Sequence, residues 1–291
     1  MQPSEWRGRN RGLRPHAQRR APATILRLVV CASMVMLAPA LGAQQRLNDS
    51  GQVACFDDSV HTGTVSAPTP DPETTGFDLQ DCTGGSAAAD AVGALVKRGG
   101  SSVAGRDYSK ISNAGGELPA SVQLGFEQGD WNCTRDNVTG LVWELKWRLD
   151  YGLFHRNDLY AWFDDDPAVN GGDSGSMGDS ATCTVLASCN TMAYRDAVNA
   201  LAGEQRLCGR TDWRLPTLAE LESLLEFEST GGAAIDGEWF FGTPAAAYRS
   251  TDNVPSDGAG ASAWALDFGN RLLGAFGKDS ALRVRLVRSD P

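Results

Sequence analysis

The chain has little of the side-chain chemistry that most enzymes and metal sites need. Its 291 residues include three histidines, and no pair among its seven cysteines has the Cys-x-x-Cys spacing. Zinc sites draw their ligands from those residue types, so zinc is disfavoured. No Ser/His/Asp set and no Gly-rich phosphate-binding motif is visible either. The sequence therefore predicts a protein that is not an enzyme and for which no cofactor is expected.

Long apolar runs and net positive charge are both missing after the first 43 residues. That first stretch holds seven arginines before Leu28 and then the run "LVVCASMVMLAPALGA". This order is typical of a secretory signal peptide cut near Ala43, and the run is too short and too interrupted to favour a membrane span. We expect export to the periplasm, the cell surface or the medium, without stable membrane insertion.

The mature chain is strongly acidic. Removal of residues 1–43, which hold seven arginines and one glutamate, leaves 19 basic and 35 acidic residues and a net charge of −16. Such a balance favours solubility and disfavours association with nucleic acid or anionic membranes. We therefore expect no nucleic-acid partner.

Six cysteines remain after cleavage, an even number in a chain predicted to be exported. This pattern predicts three disulfides, although six cysteines permit 15 connectivities that sequence alone does not separate. Proximity favours Cys55 with Cys82 and Cys183 with Cys189, which leaves Cys133 for Cys208.

The composition of the mature chain changes near Trp131. Residues 44–129 are rich in Gly, Ser, Ala, Pro and Asp, which predicts an irregular, disulfide-pinned extension. In "TGLVWELKW", apolar residues alternate from Leu141 to Trp147 as in a half-buried strand. The predicted organisation is a signal peptide (1–43), the extension (44–129) and a folded domain (130–291).

Two helices and several strands are predicted in the folded domain. Apolar residues recur at helical spacing from Tyr194 to Leu201, and in "TDWRLPTLAELESLLEF" Thr217 and Glu220 form a capping box before a run of leucines. The later segments "AWALDF" and "LRVRLVR" alternate as strands do. Strand, long loop, two helices and strands, in that order, predict an α+β domain with a mostly antiparallel sheet. The stretch around Trp213 is interpreted as scaffold.

Four segments in register resemble a known family. "WNCTRDNVTGLVWELK", "DWRLPTLAELESLL", "AIDGEWFFGTP" and "RVRLVR" are similar, in this order, to the Lcl C-terminal domain family of bacterial collagen-like adhesins and other exported proteins. The resemblance covers about Trp131 to Ser289. It implies a C-type-lectin-like fold, in which two helices flank a small irregular antiparallel sheet, and it implies adhesin-like binding of a glycan or a protein at the cell surface.

Two departures from that family bear on the ligand. No collagen Gly-X-Y tract precedes the domain, and the acidity of the chain disfavours sulfated glycans. Arg249 also replaces a family aromatic in "YRSTDN". Two alternatives to a binding protein stay open: an enzyme on a scaffold like that of formylglycine-generating enzymes, and a structural protein of an envelope assembly.

Three groups of side chains are candidates for ligand or ion binding. Mobile loops on a rigid scaffold often carry binding, and the late loops supply aromatic and polar candidates: Tyr248, Arg249, Asp252, Asn253, Asn270 and Arg271. Arg283, Arg285 and Arg288, together with Arg271 and Lys278, are candidates for a basic strip that holds an anionic sugar, and the alternative is a solvated strand face. Calcium is possible in the acidic loop (residues 164–190), where Asp164, Asp166 and Asp173 are the candidate ligands, and the alternative is a solvated loop that binds no ion.

Overall fold

The computed structural model describes residues 106–148, 151–226, 231–255 and 260–290. Within these ranges the chain forms two antiparallel sheets and two short α-helices, so strands predominate in a mixed fold. The predicted combination of helices with antiparallel strands is confirmed at that level. Neither helix of the described ranges has the length and apolar composition needed to cross a bilayer.

The larger sheet has five strands in the spatial order β2-β1-β3-β4-β8. In chain order these strands are β1 (Tyr108–Ser112), β2 (Glu117–Leu118), β3 (Trp131–Asp136), β4 (Leu141–Glu144) and β8 (Val287–Ser289). Strand β1 pairs with β3 along its whole length. The predicted boundary between residues 129 and 130 therefore falls inside one hydrogen-bonded sheet.

Both predicted helices are present. Helix α1 spans Thr191–Asn199, and the side chain of its N-cap, Asn190, accepts a hydrogen bond of 2.8 Å from a first-turn N–H. Helix α2 spans Leu218–Glu222 and has the predicted capping box. Thr217 accepts from the N–H of Glu220 at 3.2 Å, and the Glu220 carboxylate accepts from the N–H of Thr217 at 2.7 Å. Satisfying these end groups stabilises a helix that is otherwise too short to persist.

Strand β4 is buried on both faces, whereas the alternation predicted one solvated face. Trp143 packs in one core cluster and Val142 in the second. Glu144 and Lys146, on the predicted polar side, are 0% and 3% exposed. The covering residues include Tyr194 of α1, which local periodicity does not reveal.

The smaller sheet contains β5 (Ala247–Asn253), β6 (Ser262–Asp267) and β7 (Leu272–Gly277) in that spatial order. Strand β6 confirms the strand predicted in "AWALDF", and its Leu266 is fully buried. The predicted strand "LRVRLVR" is mostly irregular, because it crosses from one sheet to the other. Its Arg283 makes an isolated bridge to β5, and only its last residues join β8.

Two of the three predicted disulfides are confirmed. Cys133 of β3 is bonded to Cys208, and Cys183 is bonded to Cys189 across a short loop just before α1. The third predicted pair, Cys55 with Cys82, lies outside the described residues. The buried Cys133–Cys208 bond links the larger sheet to the chain that leads into α2.

Candidate functional site

Two of the predicted ligand residues, Tyr248 and Arg249, lie inside the protein. Their side chains are 1% and 0% exposed. The Nη2 group of Arg249 donates to the backbone carbonyl oxygens of Gly277, at 2.6 Å, and Ser280. Burial lowers the pKa of Arg249 to about 10. The prediction that these two side chains form a binding surface is wrong: Arg249 fastens β5 to the turn after β7.

The other four late-loop candidates also bond to backbone. Asp252 accepts from the first N–H of α2, and Asn253 donates to a carbonyl of the acidic loop at 2.6 Å. Asn270 accepts from the N–H two residues on at 2.9 Å, and Arg271 donates to the carbonyl of Glu226 at 3.4 Å. None of the four lines the cleft described below.

The predicted basic strip is not a surface. Arg285, Arg288 and Lys278 are 1%, 4% and 2% exposed. Arg285 donates to a carbonyl of β4 at 2.8 Å, Arg288 pairs with Asp212 at 2.8 Å, and Arg283 donates to a backbone carbonyl at 2.9 Å. The alternation of arginine with apolar residues belongs to a segment covered on both sides, so these guanidinium groups donate from Nη or Nε to groups within the protein instead of facing a ligand.

The three calcium candidates each stabilise a local turn. The carboxylates of Asp164, Asp166 and Asp173 accept from backbone N–H groups two residues further along, at 3.0, 2.9 and 2.7 Å. The described residues include no group of three or more histidine, cysteine or acidic side chains placed to hold a metal ion. Asp164, Asp166 and Asp173 therefore do not gather into such a group within the described residues, and calcium binding stays a prediction.

The ammonium group of Lys278 holds the acidic loop in place through hydrogen bonds. Lys278 Nζ donates to the carbonyl oxygens of Asn170, at 2.6 Å, and Asp173, and it lies 4.1 Å from the centre of the Trp162 ring. The cation comes from the turn that follows β7. It therefore ties the acidic loop to the smaller sheet.

Lys278→Met is expected to loosen the acidic loop. The substitution keeps most of the apolar stem but leaves two carbonyl groups without their charged donor, which costs about 2–3 kcal/mol of unfolding free energy. Urea denaturation measures that loss, and hydrogen exchange of the amides in residues 164–175 localises it. Arg206→Met, at an exposed position, controls for the lost charge. Unchanged exchange in the loop would contradict the assignment.

A cleft of about 290 Å³ opens where the start of α1 faces the entrance to α2. Its polar lining consists of charged and hydroxyl-bearing side chains, namely Asp164, Thr191, Arg195, Arg214, Thr217 and Thr251. Its apolar lining is Trp162, Phe163, Met192 and Leu215. Segments far apart in the chain therefore meet here: the start of the acidic loop, helix α1, the residues that lead into α2, and β5.

Each arginine of the cleft is paired with carboxylates. Arg195 donates from Nε to Asp196 at 2.7 Å, and its Nη1 lies 3.6 Å from Oδ2 of Asp164. Arg214 makes a bidentate pair with Glu220, with N···O distances of 2.7 and 2.8 Å. The cleft thus offers donors and acceptors side by side instead of a field of one sign.

Glu220 serves the helix and the cleft together. Burial acts to raise the pKa of its carboxyl, but hydrogen bonds from Arg214 and from the Thr217 backbone outweigh burial and leave that pKa below its ordinary value. The carboxylate is therefore ionised at neutral pH. It holds the Arg214 guanidinium in a fixed direction at the rim of the cleft.

The stretch Asp212–Thr217 is scaffold, as predicted, and it also lines the cleft. Trp213 is 1% exposed and donates from Nε1 to the Leu207 carbonyl at 3.2 Å. Arg214 and Leu215 nevertheless face the cleft. Sequence reasoning missed this second role. The signal that the sequence offered is Arg214 close to a complete capping box. The capping-box residue Glu220 is already oriented by the helix, and its carboxylate is the partner of Arg214.

Comparison with known proteins covers the same part of the chain. The family model described as the Lcl C-terminal domain matches residues 132–288, more than half of the sequence. The chain belongs to the Lcl C-terminal domain family. No curated protein matches the chain. Every residue that lines the cleft lies within the Lcl C-terminal domain.

Proposed function

We propose that this protein is an exported, non-catalytic binding protein, and that the cleft between α1 and α2 holds a glycan or protein ligand at the cell surface. Membership of the Lcl C-terminal domain family supports an adhesin-like role. The observation that carries the proposal is a cleft with two oriented guanidinium groups, hydroxyls and an apolar wall. Such a mixture is typical of binding sites that need orientation as well as contact area.

The pairing of the charges favours a neutral, polar ligand. Arg195 and Arg214 are both offset by nearby carboxylates, including Asp164 and Glu220. Alternating donors and acceptors match sugar hydroxyls or an extended peptide backbone, each of which donates and accepts. Met192 and Leu215 offer apolar contact to the C–H face of a sugar or to an aliphatic side chain. A densely sulfated ligand fits this balance less well.

The side chains of the cleft support binding without catalysis. The lining contains three threonine hydroxyls and one carboxylate, Asp164, but no histidine, cysteine or lysine, the residue types that most often act as activated nucleophile or base. His155, the one histidine in the described ranges, is 3.0 Å from the Asp158 carboxylate outside the cleft. All four cysteines of the described part are in disulfides, which disfavours chemistry based on a free thiol.

We further propose the finer architecture that the resemblance implies. The two helices, the two small antiparallel sheets and the disulfides are compatible with a fold related to C-type lectins. Residues 1–43 are proposed as the signal peptide, and the remaining chain before the sheet as the extension. The pairing of β1 with β3 supports a packed domain that includes residues from Tyr108 onwards.

A glycan array and a surface-protein binding assay with the mature protein test the function. Met192→Trp is expected to block the cleft, and Arg195→Ala to remove one oriented donor. Loss of a hydrogen bond to a charged group costs about 1.5–3 kcal/mol, so we expect roughly tenfold to hundredfold weaker binding for Arg195→Ala. Each assay is run with calcium and with chelator.

Arg206→Ala is the matched control, because it removes an exposed arginine that does not line the cleft. Binding that is lost in both cleft variants and kept in this control supports the proposal. Binding that survives Met192→Trp would move the site elsewhere. No binding to any glycan or protein would refute the adhesin-like function.

A further inference from the structure

Strand β7 is an open, uncharged edge of the smaller sheet. Its six residues, "LLGAFG", contain no charge and no proline. Among the described strands it pairs with β6 alone. Leu272 and Leu273 are 63% and 42% exposed, among the larger apolar exposures of the described residues.

Such an edge is unusual because unpaired N–H and C=O groups on an apolar strand invite another strand. The other edges within the described residues are protected. Strand β8 exchanges two backbone hydrogen bonds of 2.9 Å with Arg214, between the N–H and C=O groups of Arg214 and Val287. Strand β2 has only two residues. Strand β5 is covered, because the N–H of Thr251 donates to the Pro216 carbonyl at 2.8 Å and that of Arg249 to the Arg283 carbonyl at 2.8 Å. Among the described residues, β7 has neither form of protection except at its last carbonyl, Gly277, which accepts from Arg249 at 2.6 Å.

We propose that β7 pairs with β7 of a second copy of this chain, antiparallel and across a twofold axis at Gly274, so that the small sheets of two copies join into one. This register places Leu272 opposite the partner's Phe276 and Leu273 opposite the partner's Ala275. A twofold axis perpendicular to the sheet keeps opposite residues on the same face, and so it permits this register. The proposal is independent of what the cleft binds.

The side chains of β7 are arranged symmetrically for this pairing. Leu272, Gly274 and Phe276 share one face, opposite the alternate residues of β6. The Phe276 ring lies over Gly274, since a Cβ at Gly274 would be 2.7 Å from a ring carbon. Gly274 itself places no side chain at the axis. On either side of the axis, Leu272 of one copy lies opposite Phe276 of the other. Such cross-strand pairs stabilise a sheet.

The charges at the two ends of β7 are complementary as well. Arg271 precedes the strand, and Asp279, which is exposed, follows it. Antiparallel pairing brings the basic end of each copy towards the acidic end of the other. Lys278 does not offset this, because it is buried and donates to the acidic loop. The mature chain, with its net charge of −16, therefore meets its copy along a neutral strand.

The dimer is expected to be reversible. A contact centred on one six-residue strand buries less than the roughly 1,200 Å² of stable interfaces. Assembly should thus depend on protein concentration, with a dissociation constant on the order of micromolar or weaker. Sedimentation velocity of the mature protein over a series of concentrations measures it.

Leu272→Lys tests the edge itself, because a charge on an edge strand opposes pairing. We expect at least roughly a tenfold rise in the dimer dissociation constant. Phe241→Lys, at a side chain that is 55% exposed outside β7, should leave it unchanged. Near-ultraviolet circular dichroism and the urea midpoint verify the fold of both variants. A monomer at all concentrations, or a dimer that Leu272→Lys leaves intact, would overturn the proposal.

Engineered cysteines test the register. The double variant Leu273→Cys/Ala275→Cys should form an intermolecular disulfide under mild oxidation, since position 273 of each copy lies opposite position 275 of the other copy. Ala275→Cys alone should cross-link far less. Equal cross-linking by that single variant would place the axis at Ala275 and overturn the register, and no cross-linking by either variant would overturn the pairing.

Discussion

Replacement of Cys133 and Cys208 by alanine is expected to lower the free energy of unfolding by about 4 kcal/mol. The bond joins residues 75 apart in sequence, so it removes much of the chain entropy of the unfolded state. Both cysteines are buried, and alanine avoids introducing an unpaired hydroxyl there. Tryptophan fluorescence during urea denaturation, with linear extrapolation to water, measures the change.

Cys183→Ala/Cys189→Ala is the matched control. That bond spans a separation of six residues, for which the same chain-entropy relation gives about 2 kcal/mol. The two double variants each remove one disulfide and leave an even number of cysteines. If Cys183→Ala/Cys189→Ala destabilises the protein as much as the Cys133/Cys208 variant or more, the entropy of the unfolded chain does not explain the contribution of the Cys133–Cys208 bond to stability.

A buried ionic cluster lies under the larger sheet. Glu144 is 0% exposed and accepts from the Tyr194 hydroxyl and, at 2.9 Å, from the N–H of Leu286. The nearby Lys146 ammonium lies 3.8 Å from the centre of the Tyr194 ring and has no hydrogen-bond partner in the described part of the chain. Burial lowers the pKa of Lys146 to about 8, while the negative charges of Glu144 and Asp158 oppose that shift.

Glu144→Gln is expected to destabilise the protein by about 3–5 kcal/mol. The amide keeps the shape of the side chain but removes the negative charge that compensates Lys146, and it replaces one of two acceptor oxygens with a donor. Urea denaturation at neutral pH gives the magnitude. Hydrogen exchange in β4 and α1 is expected to rise, because the Tyr194 bond connects these elements.

The double variant Glu144→Gln/Lys146→Met separates charge from packing. Removing the ammonium as well should leave the protein about 2 kcal/mol more stable than Glu144→Gln alone. Equal stability of the single and double variants would show that Glu144 acts through its hydrogen bonds and not as a counter-charge. A Glu144→Gln protein as stable as the wild type would contradict the whole assignment.

Local signals predicted the elements that local interactions determine. The capping box at Thr217 and the apolar spacing from Tyr194 both correspond to helices. Proximity and elimination predicted both disulfides of the described part. The four motifs predicted the family. Hydrogen bonds within a turn and the order of residues along the chain suffice for these assignments.

Predictions about surface and ligand depended on burial, and several were wrong. Arg285 alternates with apolar neighbours, which favours a solvated face, and Arg249 was predicted to lie in a binding loop, yet both side chains are buried. Lys278 looked like part of a basic surface, but it is held by two carbonyls of a loop more than 100 positions earlier. Alternation with a period of two indicates that the two faces of a strand differ, but it does not indicate what covers either face.

The sequence by itself determined the start of α2 and membership of the Lcl C-terminal domain family, because each depends on a few residues at known spacing. Only the tertiary structure decided where the charges lie. Buried cations take carbonyl partners wherever the fold brings them. The cleft likewise forms from the acidic loop, both helix entrances and β5, and contacts between segments so distant in the chain depend on packing, which one-dimensional periodicity does not encode.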